Sequence, residues 1–140
     1  MSEHSSSLRV LLVDDCPDVC AALGTLVRLW GHDVRAVGDG LTCLGAVADY
    51  QPHVVLLDVG LPGIDGFEVA RRLRLRPPPQ PLRLVTISGY GREEDFRRSR
   101  AAGCEKHMVK PVDLLDLRHL LSSYAELARR EAAQEAGVRG

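Results

Sequence analysis

Short, mostly apolar runs alternate along the chain with longer amphipathic stretches. The runs occupy residues 9–13, 33–37, 53–57, 82–87 and 104–109. The runs at 9–13 and 53–57 are nearly free of polar residues, which is typical of strands buried on both faces of a parallel sheet. Apolar residues at helical spacing predict helices over residues 17–30, 41–50, 65–75, 93–102 and 114–127. Five successive strand–helix units predict an α/β fold, a doubly wound parallel sheet of five strands with helices on both faces.

The same pattern predicts which helix residues face the core. Pro17 is typical of a first helical turn, and Asp113 is the predicted cap of the last helix. In the second helix, Leu41, Leu44 and Val47 are expected to point inward. The inward residues expected in the last helix are Leu114, Leu117, Leu120, Leu121, Tyr124 and Leu127.

Size and composition indicate one ordinary globular domain. The chain has 140 residues, of which 45% are hydrophobic, so it can bury a core without a disulfide or a structural metal. We expect the domain to span residues 8–130, between a disordered tail at 1–7 and a frayed helical or disordered tail at 131–140. No apolar run approaches the roughly 18 residues of a membrane span, and the polar start lacks the apolar core of a secretory signal. A cytoplasmic protein is therefore expected.

Charge and cysteine content narrow the function further. The chain carries 18 basic and 19 acidic residues, a balance that argues against nucleic acid as a partner. None of its four cysteines, Cys16, Cys20, Cys43 and Cys104, forms a C-x-x-C pair. We expect buried, inert thiols rather than a metal or redox site.

Polar side chains follow four of the predicted strands at the point where each strand ends. Asp14 and Asp15 follow the first strand, Asp58 the third, Ser88 the fourth and Lys110 the fifth. In open α/β sheets, ligands bind outside the carboxyl ends of the strands, where the strand order reverses. A single acidic residue at such a position is commonly a helix cap, but four polar endings together indicate a binding site.

The chemistry of these side chains suits a divalent cation and a phosphoryl group. Asp14, Asp15 and Asp58 cannot all stay ionised at close range without compensation, and oxygen ligands without His or Cys favour Mg²⁺. Lys110 and Ser88 add a positive charge and a hydroxyl donor, which is what an incoming phosphoryl group needs. Asp58 follows the central strand and is the best candidate for a carboxylate nucleophile that forms an aspartyl phosphate.

Four motifs together resemble a known family. D-D-C-P-D-V, D-V-G-L-P-G-I-D-G, S-G-Y-G and M-V-K-P-V-D are similar to the receiver domain of two-component response regulators, over about residues 8–125. The resemblance implies a flavodoxin-like sheet with strand order 2-1-3-4-5. It implies a phosphoacceptor signalling domain rather than a turnover enzyme, one that promotes its own Mg²⁺-dependent phosphorylation and dephosphorylation.

The resemblance also implies the metal site and the phosphoacceptor. Asp58 would take the phosphoryl group from a phosphohistidine of a sensor histidine kinase or a histidine phosphotransfer protein. Asp15, Asp58 and the backbone carbonyl of Gly60 would bind Mg²⁺ directly, and Asp14 would bind it through a water molecule.

The remaining implied roles concern phosphoryl binding and switching. Lys110, Ser88 and Gly89 would hold the phosphoryl group, and the bond between Lys110 and Pro111 would be cis. Ser88 and His107 would form the conformational switch, with His107 turning inward once Ser88 moves toward the phosphoryl group. An exposed histidine on an edge strand is the alternative for His107.

Three residues depart from the common receiver pattern. Cys16 stands where a polar or acidic residue is usual, Gly89 where alanine is commonest, and His107 where many receivers carry Tyr or Phe. With this histidine followed by M-V-K-P-V-D, the chain resembles the receivers of hybrid sensor kinases more than other receivers. None of the three removes a required group, so these departures bear on the switch rather than on the chemistry. We expect no output domain after the last helix, and therefore signalling through protein–protein contact.

Three other classes of protein remain as alternatives. A nucleotide- or flavin-binding α/β domain would need a glycine-rich phosphate loop after the first strand, where this chain has D-D-C-P-D. A phosphatase that acts through an aspartyl phosphate would usually begin with D-x-D and carry a cap domain. A receiver-like docking module without phosphotransfer would normally lack the phosphoacceptor or the lysine.

Overall fold

The computed structural model describes residues 7–139, which form one parallel sheet flanked by helices. The strands are β1 (Arg9–Val13), β2 (Asp33–Val37), β3 (Val54–Asp58), β4 (Arg83–Ser88) and β5 (Lys106–Val109). Their spatial order is β2-β1-β3-β4-β5, and every neighbouring pair is parallel. The predicted fold class and strand order are therefore confirmed.

One helix follows each strand. The helices are α1 (Pro17–Leu29), α2 (Gly40–Tyr50), α3 (Gly66–Leu75), α4 (Glu93–Ala101) and α5 (Leu114–Arg139). Cap residues explain several of these starts: Asp39, Asp65 and Asp113 each accept a hydrogen bond from a backbone N–H three residues later. The structure places the end of α5 well beyond Leu127, so residues 131–139 continue that helix. Of the predicted N-terminal tail, only Ser7 lies within the described residues.

The central strands are buried on both faces because helices cover each side of the sheet. Leu11, Val13, Val55 and Leu57 pack into a layer with residues of α2 and α3. The alternate strand residues, such as Val10, pack into a second layer with residues of α1 and α5. Since successive side chains of a strand point to opposite faces, a nearly continuous apolar run fills both layers.

Two predicted helix faces differ from those observed. Leu41 is 65% exposed, because the buried stripe of α2 starts one residue earlier and runs through Gly40, Cys43 and Val47. Gly40 lies so close to α3 that an added Cβ atom would be 2.6 Å from a methyl group of Val69. A helix turns about 100° per residue, so Leu41 points away from this contact.

The last helix also buries a narrower stripe than predicted. Leu114 and Leu127 are exposed, whereas Leu117, Leu121 and Tyr124 are buried as expected. Leu114 lies in the first turn of α5 and Leu127 lies one residue off the buried row.

The cysteine prediction is confirmed for two residues and wrong for one. Cys43 and Cys104 are buried free thiols, and Cys20 is half-buried. Cys16 is exposed because it occupies the cap position before α1, outside the core. Within residues 7–139, no helix is long and apolar enough to cross a membrane.

Candidate functional site

Three carboxylates meet at the carboxyl ends of β1 and β3. Asp58 is the last residue of β3, and Asp14 and Asp15 follow β1, its neighbour in the sheet. One carboxylate oxygen from each of the three lies within 4.8 Å of the others. The strand order reverses between β1 and β3, so the cluster occupies the position where open α/β sheets bind ligands.

Backbone amides orient two of these carboxylates. The Cys16 N–H donates to Asp14 Oδ1 at 2.9 Å, and the Gly60 N–H donates to Asp58 Oδ1 at 3.3 Å. Asp58 is buried, Asp14 is half-buried and Asp15 is exposed. The site is therefore anchored at its base and open toward solvent at Asp15.

The first turn of α3 packs directly against the end of β3. A Cβ atom added at Gly66 would lie 2.5 Å from the carbonyl oxygen of Asp58 and 2.8 Å from Cα of Val59. The Gly66 N–H donates to the Val59 carbonyl at 3.0 Å. This contact requires glycine and fixes the backbone that carries Asp58.

Lys110 is the cation of the cluster. Its Nζ lies 3.3 Å from Asp58 Oδ1 and 3.8 Å from Asp14 Oδ2, and 40% of its side chain is exposed. Its backbone N–H donates to the Ser88 carbonyl at 2.7 Å, and the bond between Lys110 and Pro111 is cis. The side chain therefore points across the ends of the strands to the carboxylates.

Ser88 ends β4 beside these groups. Its hydroxyl is buried, and its Oγ accepts a hydrogen bond from the Tyr90 N–H at 3.0 Å. Gly89 is exposed and has open space where a side chain would project. The segment between β4 and α4 is fixed at its far end by Asp95, whose carboxylate accepts hydrogen bonds from the backbone N–H and the side chain of Arg92. Burial raises the pKa of Asp95, but the bonds from Arg92 outweigh that effect and leave its pKa below the ordinary value.

His107 lies inside the protein, so the alternative of an exposed histidine is wrong. Its ring packs edge-on against Phe96 at a centroid distance of 4.9 Å and stacks near Phe67 at 6.2 Å. Its Nδ1 lies 2.8 Å from Thr86 Oγ1, and its Nε2 lies 3.1 Å from the Tyr90 carbonyl oxygen. The sequence could not show this burial, because it depends on α3 and α4 closing over an edge strand.

Sequence reasoning missed the residues that hold His107. Thr86 is a fully buried hydroxyl residue, and its Oγ1 lies 2.7 Å from the hydroxyl of Ser99, which is also buried. The available signal was a threonine inside the otherwise apolar run of β4, on the same face as Ser88 two residues later.

The donor set fits Mg²⁺. Three carboxylates surround one space, and Lys110 is the one cation within 4.0 Å of Asp14 and Asp58 among the described residues. This leaves more negative than positive charge, which a divalent cation would balance. All the ligands are oxygen atoms, which Mg²⁺ prefers, and one side of the cluster is open to solvent. This arrangement suits a cation that retains several of its water molecules.

The comparisons with known proteins agree with this geometry. Residues 10–122 match the family model of the response regulator receiver domain. The gliding motility regulatory protein of Myxococcus xanthus is 39% identical over 103 residues, which are 74% of this chain and 13% of that protein. The sporulation initiation phosphotransferase F of Bacillus subtilis is 28% identical over 119 residues, which are 85% of this chain and 94% of that protein.

Solved structures support the same fold. A putative response regulator from Chloroflexus aurantiacus superposes with a TM-score of 0.79 at 26% identity, over 86% of this chain and 98% of that one. A CheY-like receiver domain protein from Methanospirillum hungatei gives a TM-score of 0.78 at 23% identity, over 88% and 97%. With the match over residues 10–122 and the acidic cluster facing a lysine, the chain belongs to the receiver domain family of two-component response regulators.

Proposed function

We propose that Asp58 is the phosphoacceptor and that it takes its phosphoryl group from a phosphohistidine of a histidine kinase or a histidine phosphotransfer protein. The observation that carries this assignment is the position of Lys110 Nζ, 3.3 Å from Asp58 Oδ1, in a cluster with Asp14 and Asp15. Receiver domains are signalling domains rather than turnover enzymes. The likeness to receivers of hybrid kinases stays a prediction.

In the proposed transfer, a carboxylate oxygen of Asp58 forms a bond to phosphorus. The bond between phosphorus and the imidazole nitrogen of the donor breaks, and its electron pair stays on that nitrogen. Lys110 binds a phosphoryl oxygen through its ammonium group, which stays next to Asp58 throughout. Ser88 donates its hydroxyl hydrogen to another phosphoryl oxygen, and Gly89 leaves room for the group.

Asp14, Asp15, Asp58 and the carbonyl of Gly60 are the residues that would hold Mg²⁺. When bound, the cation supplies charge neutralisation for the carboxylates and the phosphoryl group. Asp14 and Asp58 are held in place by backbone N–H groups, so the protein's own contribution is a fixed set of oxygen donors.

Labelling by acetyl phosphate tests the acceptor. We expect Mg²⁺-dependent addition of one phosphoryl group in intact-mass spectra and its loss in Asp58→Asn. Asp39→Asn is the matched control, because Asp39 also follows a strand at this edge of the sheet but caps α2 instead. Labelling of Asp58→Asn at the wild-type rate would overturn the assignment.

The role of Lys110 has its own test. A hydrogen bond to a charged group contributes about 1.5–3 kcal/mol, so Lys110→Gln should slow labelling by about 10- to 140-fold. An unchanged labelling rate would make Lys110 a residue that only balances the carboxylates. If the chain were only a docking module, the wild-type protein would take no label at all. A docking module would normally lack the phosphoacceptor or the lysine, whereas in this chain Asp58 and Lys110 are both present and in contact.

A further inference from the structure

Two sets of hydrogen bonds that meet at the backbone of Tyr90 lead from α4 to the hydroxyl of Ser88. Ser99 Oγ lies 2.7 Å from Thr86 Oγ1, which lies 2.8 Å from His107 Nδ1. His107 Nε2 lies 3.1 Å from the Tyr90 carbonyl oxygen, and the Tyr90 N–H lies 3.0 Å from Ser88 Oγ. The series therefore joins three elements, α4, β4 and β5, to the segment between β4 and α4.

Donors and acceptors in this series can be assigned from chemistry alone. The Tyr90 carbonyl can only accept, so His107 Nε2 must carry a hydrogen. In the neutral imidazole, Nδ1 is then bare and must accept, so the Thr86 hydroxyl donates to it. Thr86 Oγ1 is left with lone pairs only and accepts from Ser99. One competing acceptor for the Thr86 hydrogen, the Lys106 carbonyl, is farther away at 3.4 Å, and its use would leave Nδ1 without a donor.

The assignment also determines what Ser88 can do. The Tyr90 N–H can only donate, so Ser88 Oγ is the acceptor in that bond. The hydroxyl hydrogen of Ser88 is therefore not used in it and stays available to a phosphoryl oxygen. Every hydrogen in the series points toward Ser88.

The surroundings make the series stronger than the same bonds would be in water. Thr86 and Ser99 are 0% and 1% exposed, and the rings of Phe67 and Phe96 flank His107. In such an apolar environment hydrogen bonds polarise one another, and an unpaired hydroxyl is costly. Loss of one donor should therefore weaken the bonds between Ser99 and the Tyr90 carbonyl, and reach Ser88 through a shift of the Tyr90 backbone.

We propose that Ser99, Thr86 and His107 form a one-way hydrogen-bond relay that holds Tyr90 in place and so orients the Ser88 hydroxyl toward the phosphoryl group on Asp58. Thr86 and Ser99 are positioning residues in this proposal, since neither touches the phosphoryl group. The inference rests on the proposed function in one respect, the presence of a phosphoryl group on Asp58. The direction of the hydrogen bonds does not depend on that function.

Nitrogen-15 spectra of the imidazole test the direction of the relay. The chain has five histidines, and His107→Gln assigns the signals. In the wild-type protein at a pH where the ring is neutral, Nε2 should be protonated and Nδ1 should be a bare, hydrogen-bonded nitrogen. Thr86→Val should move the Nδ1 signal to that of a nitrogen without a donor, and Thr86→Ser should restore it. A protonated Nδ1 in the wild-type neutral ring would overturn the relay.

Labelling by acetyl phosphate tests its effect. Thr86→Val should slow phosphorylation by about two- to tenfold, the range for one neutral hydrogen bond, while Thr86→Ser stays near the wild-type rate. Thr25→Val is the control, because Thr25 lies on the exposed face of α1 and its hydroxyl donates to the Ala21 carbonyl of the same helix. If Thr86→Val does not fold, Ser99→Ala removes the preceding donor and carries the same expectation.

The two readouts separate this inference from the proposed function. A wild-type rate in both relay variants would overturn the relay while Asp58 labelling stands. A wild-type chain that takes no label would overturn the proposed function, and the imidazole spectra would still decide the direction of the relay.

Discussion

Asp15 is the carboxylate whose removal tests the electrostatics of the site most directly. Its oxygen lies within 4.8 Å of those of Asp14 and Asp58. Lys110 pairs with those two, but no basic side chain that the structure describes, within residues 7–137, lies within 4.0 Å of Asp15. In the absence of a divalent cation, Asp15 therefore contributes repulsion without a compensating contact.

The distances set the size of the effect. Two unit charges 4.8 Å apart repel by about 3.5 kcal/mol at an effective dielectric of about 20, and by about 1 kcal/mol at that of water. Asp15 is exposed, so its interactions lie near the lower value. We expect Asp15→Asn to raise the free energy of unfolding by about 1–2 kcal/mol in a chelator-treated buffer.

Urea denaturation followed by the fluorescence of Trp30, the only tryptophan, measures this difference. Addition of Mg²⁺ should stabilise the wild-type protein more than the variant, since a cation that binds the folded state adds to its stability by an amount that grows with the logarithm of its affinity. The difference in unfolding free energy should therefore shrink or reverse.

Asp18→Asn is the matched control for this experiment. Asp18 lies in the first turn of α1, where a negative charge favours the helix, so its removal should lower stability slightly at any Mg²⁺ concentration. An Asp15→Asn variant that is no more stable than the wild-type protein without Mg²⁺ would refute the reasoning.

Three further predictions concern packing, pH and thiol reactivity. Gly66→Ala should lower the free energy of unfolding by about 1–3 kcal/mol, because its Cβ atom would lie 2.5 Å from the carbonyl oxygen of Asp58. Gly45→Ala should instead raise the free energy of unfolding by about 1 kcal/mol, because a Cβ atom at this helical position has open space around it. Equal effects of the two substitutions in urea denaturation would contradict this prediction. Burial lowers the pKa of His53 below 6.5, so as the pH falls the unfolded chain binds a proton at this residue before the folded chain does. The free energy of unfolding should therefore fall as the pH drops from about 6.5. Urea denaturation at several pH values should show a weaker pH dependence for His53→Gln. Iodoacetamide should modify the exposed Cys16 well before Cys43, because Cys43 is buried and its burial raises the pKa of the thiol to about 12. Peptide mapping measures the two rates, and equal rates would disprove this prediction.

Much of the architecture follows from local pattern. Apolar runs of strand length, amphipathic stretches and the caps at Asp39, Asp65 and Asp113 depend on neighbours within a few residues, so they can be read from the chain. The convergence of Asp14, Asp58 and the other strand-end side chains could also be predicted, because parallel strands bring their carboxyl ends to one edge.

The details that failed depend on which surface of an element meets another. The apolar spacing predicts that Leu41 points inward, yet the close contact of Gly40 with α3 sets the rotation of α2 and turns Leu41 outward. The cysteine pattern predicts a buried Cys16, yet this residue occupies the cap position before α1, at the rim of the site, without a capping hydrogen bond from its side chain. Neither the rotation of a helix about its axis nor the depth of a loop is encoded in local spacing.

The sequence by itself determined the order of elements, the sheet and the identity of the acidic and basic groups, because periodicity and strand-end chemistry are local properties. The tertiary structure alone decided that Lys110 reaches Asp58 at 3.3 Å and that His107 lies inside, between Thr86 and Tyr90. Those contacts join residues far apart in the chain. They form only when packed helices exclude water from an edge strand, so that each buried polar atom must find its partner within the fold.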